Sequence, residues 1–356
     1  MMAEPRIVVV GCGAIGGTIL ANLARAGRDV TGIDFWPDHI YAVQAGGLQV
    51  QAVEESFVVH PRIDFSDSLA RGEKFDIVVL SVKGYDNRWA ALLAQDLLAE
   101  DGILLSAQNG MHEDDLASVV GSERVVGCVV AMAAEAMVAG SVRCPSGSEW
   151  VSLIFGELDG SESSRVRELG EIFAPVGRIE LSTAIRGKLW AKMMMNVMSN
   201  AVGGIGDLTT RYLWTDRDAA DIIVALGHEA TQIAVATGEK PADVLGAISP
   251  ASLLGATSLS SPEWKEVVDK LYVLGQGRSG ARENLPSLLQ DLRKGRRSEI
   301  DYLNGVICTL GVEYGVATPV NDMVVDVMHR LERGEIQRGA ELLADTSTRV
   351  RSMVPA

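Results

Sequence analysis

Short apolar runs alternate, through the first half of the chain, with segments whose apolar positions recur every three or four residues. RIVVVGCGAIGGTILANLARAG (6–27) sets a β-branched run before an amphipathic stretch that stops near Gly27, which predicts strand, tight turn, helix. RDVTGIDF (28–35) reads as a second strand. LQVQAVEESFVVHPRI (48–63) alternates like a pair of strands, and FDIVVLSVK (75–83) and GILLSAQNG (102–110) are nearly continuous apolar strands. RVVGCVVAM and EWVSLIFGEL continue the sheet, SSRVRELGEIFAPVG (163–177) predicts a helix, and RIELST (178–183) a last strand. Such alternation builds a mostly parallel sheet flanked by helices. From Ile185 onward every periodic segment has the helical spacing. The expected architecture is therefore α/β: a doubly wound domain over residues 1–182, then an all-helical domain over residues 183–356.

Composition narrows the function. The 356 residues are 47% hydrophobic, enough for two sizeable cores, and the formal net charge of −15 argues against nucleic acid or an anionic membrane as partner. No apolar run of about 18 residues is free of polar interruption, which argues against a membrane span, and no signal peptide is recognisable. Cys12, Cys128, Cys144 and Cys308 form no C-x-x-C pair, and the five histidines are scattered, so neither a metal site nor a Ser-His-Asp triad is expected. A reducing, cytoplasmic setting fits best. GQGRSGAREN (275–284) reads as a mobile loop.

Chemistry enters with the glycines. Gly11 permits the turn, Gly13 lets backbone approach a pyrophosphate and Gly16 allows close packing of helix on strand, with Ala14 and Ile15 completing the phosphate-binding turn at the positive end of the helix. Asp34 follows about twenty residues later, where a carboxylate accepts the ribose hydroxyls of adenosine and repels the 2′-phosphate of NADP. NAD(H) is thereby favoured, and NADP(H) stays open because Arg25 and Arg28 are near. The plainer alternative has Asp34 capping a helix that starts near Pro37. Lys83 and Asn109 end predicted strands, where ligands lie in such sheets, although an ordinary surface lysine and an Asn-Gly turn explain them too.

In the helical half, KLWAKMMMNVMSNAVGG (188–204) carries Lys192, Asn196 and Asn200 at steps of four, so they project from one side of an apolar helix. An ammonium there requires a partner, a ligand or an escape to water. The methionines are core packing. LPSLLQDLRKGRRSEIDYLNG (285–305) places Glu299, Asp301 and Asn304 at the start of another apolar helix, where acids suit the dipole and Ser298 is a candidate N-cap.

GCGAIG, SVK, QNG, LWAKMMMNVMSN and SLLQDLRKGRRSEIDYLNG occur in that order over nearly the whole chain, and this set resembles the ketopantoate reductase (2-dehydropantoate 2-reductase) family. The resemblance implies a Rossmann domain followed by a helical substrate-binding and dimerisation domain, a homodimer, and reduction of a small 2-oxo acid by NAD(P)H. It makes Lys192 the catalytic lysine, Glu299 the acid holding the substrate hydroxyl, Ser287 the contact to the substrate carboxylate, and Asn196 and Asn200 the substrate-side asparagines. Lys83 and Asn109 fall near the nicotinamide. The chemistry agrees, since hydride arriving at a carbonyl carbon leaves negative charge on oxygen that an ammonium stabilises and protonates.

The chain departs from the family in three places. Asp34 and Phe35 replace an arginine expected for the NADPH phosphate, SPEWKEVVDKLYVLG adds an amphipathic helix from Ser261 and Pro262, and Val129 and Val130 replace threonines. A dehydrogenase of the same fold acting on a bulkier ketone or hydroxy compound is thus the first rival. A non-catalytic dinucleotide sensor is the second.

Overall fold

The computed structural model describes residues 4–69, 72–145, 147, 151–277 and 284–356. The chain divides into two compact units, Met1–Ile185 and Arg186–Ala356.

The first unit is built around β1 (Ile7–Val10), whose four residues are all fully buried. Ile7 and Val9 join one core cluster and Val8 and Val10 another, because successive side chains point to opposite faces of a strand. Each such aliphatic burial contributes about 2 kcal/mol. The remaining elements are α1 (Ala14–Arg25), β2 (Val30–Ile33), α2 (Pro37–Gly46), β3 (Leu48–Ala52), β4 (Ser56–Val59), β5 (Arg62–Asp64), β6 (Phe75–Leu80), α3 (Asn87–Leu97), β7 (Leu98–Ser106) and α4 (Glu113–Val120). β8 (Val125–Ala131), β9 (Ser141–Cys144), β10 (Ser152–Gly156), α5 (Ser164–Phe173) and β11 (Arg178–Leu181) complete it. Ile19, Leu20 and Leu23 of α1 and Val166, Leu169 and Phe173 of α5 pack on the first face, and Ala90, Ala94 and Leu116 of α3 and α4 on the second. Helices on both faces define the doubly wound α/β fold expected from the sequence.

The main sheet has the order β11-β10-β8-β7-β6-β1-β2-β5, and only the β8–β10 pair is antiparallel. β3 and β4 form the expected pair, but they belong to a separate three-stranded sheet, β4-β3-β9. Their alternating buried and exposed positions suit a sheet with one wet face, unlike the doubly buried β1.

The second unit contains α6 (Ile185–Gly206, which begins on the last residue of the first), α7 (Thr210–Leu213), α8 (Arg217–Ala236), α9 (Pro250–Gly255) and α10 (Pro262–Gly277). α11 (Ser287–Arg293), α12 (Asn304–Tyr314), α13 (Pro319–Glu332) and α14 (Ala340–Met353) follow. The added helix predicted from Ser261 is α10, and the Ser261 hydroxyl accepts from the Trp264 N–H at 3.2 Å. α8 is long and apolar enough to cross a membrane by length and composition alone, and 72% of its most apolar window is buried inside the fold, as in a core helix. Of the predicted loop 275–284, residues 278–283 lie outside the described residues.

Candidate active site

β7, β6, β1 and β2 are adjacent parallel strands that end level: Val10 stands beside Ile33 and Leu80, and Leu80 beside Ser106. The segments beginning Gly11, Asp34, Ser81 and Ala107 therefore leave the sheet along one carboxyl edge. Gly11 turns with φ +90°, and a Cβ on it would stand 2.8 Å from the backbone of Ser81 and Val82. A Cβ on Gly16 would collide with the Gly11 carbonyl oxygen, so α1 seats against the turn only without one. Gly13 differs, for its Cβ would meet nothing within 4 Å. It is the N-cap residue of α1 and supplies no side-chain cap, leaving the first-turn N–H groups, Ala14 and Ile15 among them, beside that open face. Lys83 follows β6 and Asn109 follows β7, each partly exposed on the same edge, and the Asn109 carbonyl meets His112 Nε2 at 2.9 Å.

Asp34 is tied down at both oxygens. Oδ2 accepts from the Cys12 N–H at 2.5 Å, inside the glycine turn, and Oδ1 accepts from the Phe35 and Trp36 N–H groups at 2.7 and 2.8 Å. The capping alternative is thereby corrected: the N-cap position of α2 falls on Trp36, which caps with no side chain, and Asp34 instead couples the end of β2 to the turn after β1. Burial, and next the charge of Asp34, push the Cys12 thiol well above its ordinary pKa, so it stays neutral. Phe35, 47% exposed, rests edge-on against Trp89 at 4.5 Å between ring centroids. The sequence carries no signal for this pair, which is 54 positions apart in the chain.

In the second unit, α6 buries Met193, Met194, Val197 and Met198 almost completely, and with them Asn196 and Asn200, which are 2% and 7% exposed. Lys192 on the same side is half-buried. Two segments close on this stretch. Pro286, the residue before Ser287, packs so closely on Gly203 that a Cβ there would stand 2.6 Å from its ring, and Asn304 Nδ2 donates to the Val197 carbonyl at 3.1 Å. Ser287 opens α11, and its buried Oγ has no hydrogen-bond partner among the described residues. Glu299 is 3% exposed, but not in the first turn of a long helix as the spacing predicted. A separate 3-10 turn, Ile300–Tyr302, precedes α12, which starts only at Asn304. Ser298 is not an N-cap: that position falls on Glu299 for the 3-10 turn and on Leu303 for α12, neither with a side-chain cap, while the Ser298 Oγ accepts from the Ile300 N–H at 3.3 Å.

A cavity of about 670 Å³ lined by Arg296, Arg297, Arg333 and Arg338 holds none of the predicted residues. Its guanidinium groups are engaged: Arg338 with Asp207, Arg297 with Asp301 and Arg333 with Glu335. Among the described residues no cluster of three or more His, Cys, Asp or Glu side chains could hold a metal ion.

A Rossmann-type sheet with a glycine turn, followed by a helical unit with a buried polar row, defines the class: a dinucleotide-dependent oxidoreductase. Residues 7–160 match the family model "Ketopantoate reductase PanE/ApbA" and residues 184–332 its "C terminal" model. The chain belongs to the ketopantoate reductase family, NAD(P)-dependent oxidoreductases that act on a CH–OH or keto group. It is 27% identical over 337 residues to the 2-dehydropantoate 2-reductase of Lactococcus lactis, covering 92% of this chain and 98% of that one. Among solved structures, a PanE/ApbA family ketopantoate reductase from Ralstonia eutropha superposes with a TM-score of 0.75 at 27% identity, covering 93% and 99% of the two chains. A D-mandelate dehydrogenase held with NADH and anilino(oxo)acetate shares the fold, with a TM-score of 0.78 at 22% identity over 93% and 100%.

Proposed function

We propose that this chain reduces a 2-oxo acid of the ketopantoate type to the 2-hydroxy acid with NADH, Lys192 being the proton donor. The observation that carries the reading is the row Lys192, Asn196 and Asn200 set into the largely apolar, buried middle of α6, against the segments bearing Ser287 and Glu299.

The dinucleotide fits the first unit. The open face at Gly13 and the first-turn N–H groups of α1, from Ala14, Ile15 and Gly16, suit a pyrophosphate. Asp34 has about four lone-pair sites on its carboxylate and spends three on backbone N–H groups, which leaves one for a ribose hydroxyl. The same fixed negative charge, with Phe35 braced on Trp89 beside it, disfavours a 2′-phosphate. Lys83 and Asn109 sit on the carboxyl edge where the nicotinamide end would lie. When bound, NADH supplies the hydride.

On the substrate side, the Lys192 ammonium stabilises the oxygen as negative charge develops there and then gives it a proton. Ser287 Oγ, buried and unsatisfied, donates to the substrate carboxylate. Asn196 and Asn200 orient the acid, and Glu299 accepts from a hydroxyl of the substrate. A second reading keeps these roles and enlarges the substrate; Val129 and Val130, buried in β8 where threonines would be polar, favour it. Steady-state assays over a panel of 2-oxo acids, with NADH and NADPH in separate arms, test both. The first reading expects ketopantoate reduction with kcat/KM at least about tenfold higher for NADH. No ketopantoate turnover beside good turnover of a bulkier 2-oxo acid selects the second, and no turnover of any 2-oxo acid refutes both.

A further inference from the structure

Three buried side chains that no predicted role uses form a hydrogen-bonded chain ending on α6. Glu229 of α8 is 5% exposed; its Oε1 accepts from the Val320 N–H at 2.8 Å, and its Oε2 from the Asn321 N–H at 2.9 Å and Asn321 Nδ2 at 2.7 Å. Asn321 Oδ1 accepts from Asn304 Nδ2 at 3.0 Å, and Asn304 Nδ2 also donates to the Val197 carbonyl. Asn304 and Asn321 are fully buried. Thr318, at the N-cap position of α13, makes no side-chain cap, so the Glu229 carboxylate supplies that cap from another helix.

The chain has a direction. A carboxylate only accepts, so Asn321 must turn its NH2 group to Glu229 and its oxygen to Asn304. Asn304 must then present its own NH2 group, which the Val197 carbonyl also requires. Reversing either amide would set donor against donor or acceptor against acceptor in a fully buried place. The α6 end of the chain lies beside the candidate site in sequence: Val197 is flanked by Asn196 and lies three residues before Asn200, and Asn304, which bonds its carbonyl, lies five residues after Glu299. Burial pushes the Glu229 pKa up, and the three N–H groups oppose that shift.

We infer that Glu229, acting through Asn321 and Asn304, is a positioning residue that fixes the Asn196–Asn200 stretch of α6 against the turn carrying Glu299, and so sets the affinity for the 2-oxo acid. This rests on the function proposed above.

The test compares wild type, Glu229→Gln, and Glu229→Gln combined with Asn321→Asp. In the single variant the amide keeps one acceptor oxygen, so its NH2 group must face either the Val320 N–H or the two Asn321 donors. In the double variant the new carboxylate on α13 accepts from the new amide on α8 and from Asn304, so each side-chain donor again meets an acceptor: Asn304 keeps its direction, the bond between positions 229 and 321 is reversed, and the 321 backbone N–H gives up its acceptor on position 229. Glu229→Gln should raise KM for the best 2-oxo acid about tenfold, lower kcat less than threefold and leave the Kd for NADH unchanged. The double variant should recover KM to within about threefold of wild type. Hydrogen exchange should show faster exchange around 193–201 and 296–306 in the single variant only, and Asn304→Asp, which cannot donate to Val197, should reproduce it if Glu229→Gln does not fold. A double variant no better than the single, or NADH affinity falling in step with KM, overturns the inference. Absence of 2-oxo acid turnover by wild type refutes the functional reading instead, and the exchange data then judge the coupling by themselves.

Discussion

Gly13 and Gly16 stand three residues apart in one turn, yet a methyl group added to each meets opposite surroundings. At Gly13 it enters open space, and at Gly16 it strikes the Gly11 carbonyl oxygen. Gly13→Ala should leave stability within about 0.5 kcal/mol of wild type and, on the proposed placement of the pyrophosphate at this face, raise the Kd for NADH at least tenfold. Gly16→Ala should instead cost about 2 kcal/mol or more in urea unfolding without any ligand present. Equal effects of the two on NADH affinity at unchanged stability would contradict this division of labour. These residues are legible in the sequence because a glycine turn is local: strand, glycines and helix sit within 22 residues. Glu229 and Asn321 are not. They are 92 positions apart, and each reads by itself as an ordinary polar residue on a helix.

Among the elements, those whose stability is set by their own sequence are legible in it, and those whose partners are distant are not. α6 and α5 follow from helical spacing, and Ser163, at the N-cap of α5, accepts from the Val166 N–H at 3.2 Å as its position suggests. The small sheet escapes such a reading because β3 meets β9 across about ninety residues, Gln49 standing beside Ser141. Near α5 a local device can be tested. Glu157, buried after β10, accepts from Arg165 Nε at 2.7 Å and Nη2 at 2.6 Å, and these bonds, more than its burial, set its pKa below the ordinary glutamate value. A lowered carboxyl pKa stabilises the fold above the unfolded-state value and loses that contribution as pH falls through the folded one. Arg165→Met should therefore cost about 1–2 kcal/mol at neutral pH, discounted because Arg165 keeps 31% exposure, with the gap to wild type closing in acid below the glutamate range. Urea titrations at both pH values measure it, and a gap that widens in acid would refute the assignment.

For the molecule as a whole, sequence and structure agree on an α/β unit followed by a helical one, and the two family models run across both. The central claim is narrower: one ammonium on a buried helix provides the proton that completes reduction of a keto acid. Kinetics of Lys192→Ala, assayed with NADH and the best 2-oxo acid of the panel beside a fluorescence titration of NADH, address it most directly. The kcat should fall at least about a hundredfold with the Kd for NADH unchanged. A variant that turns over at the wild-type rate would contradict it.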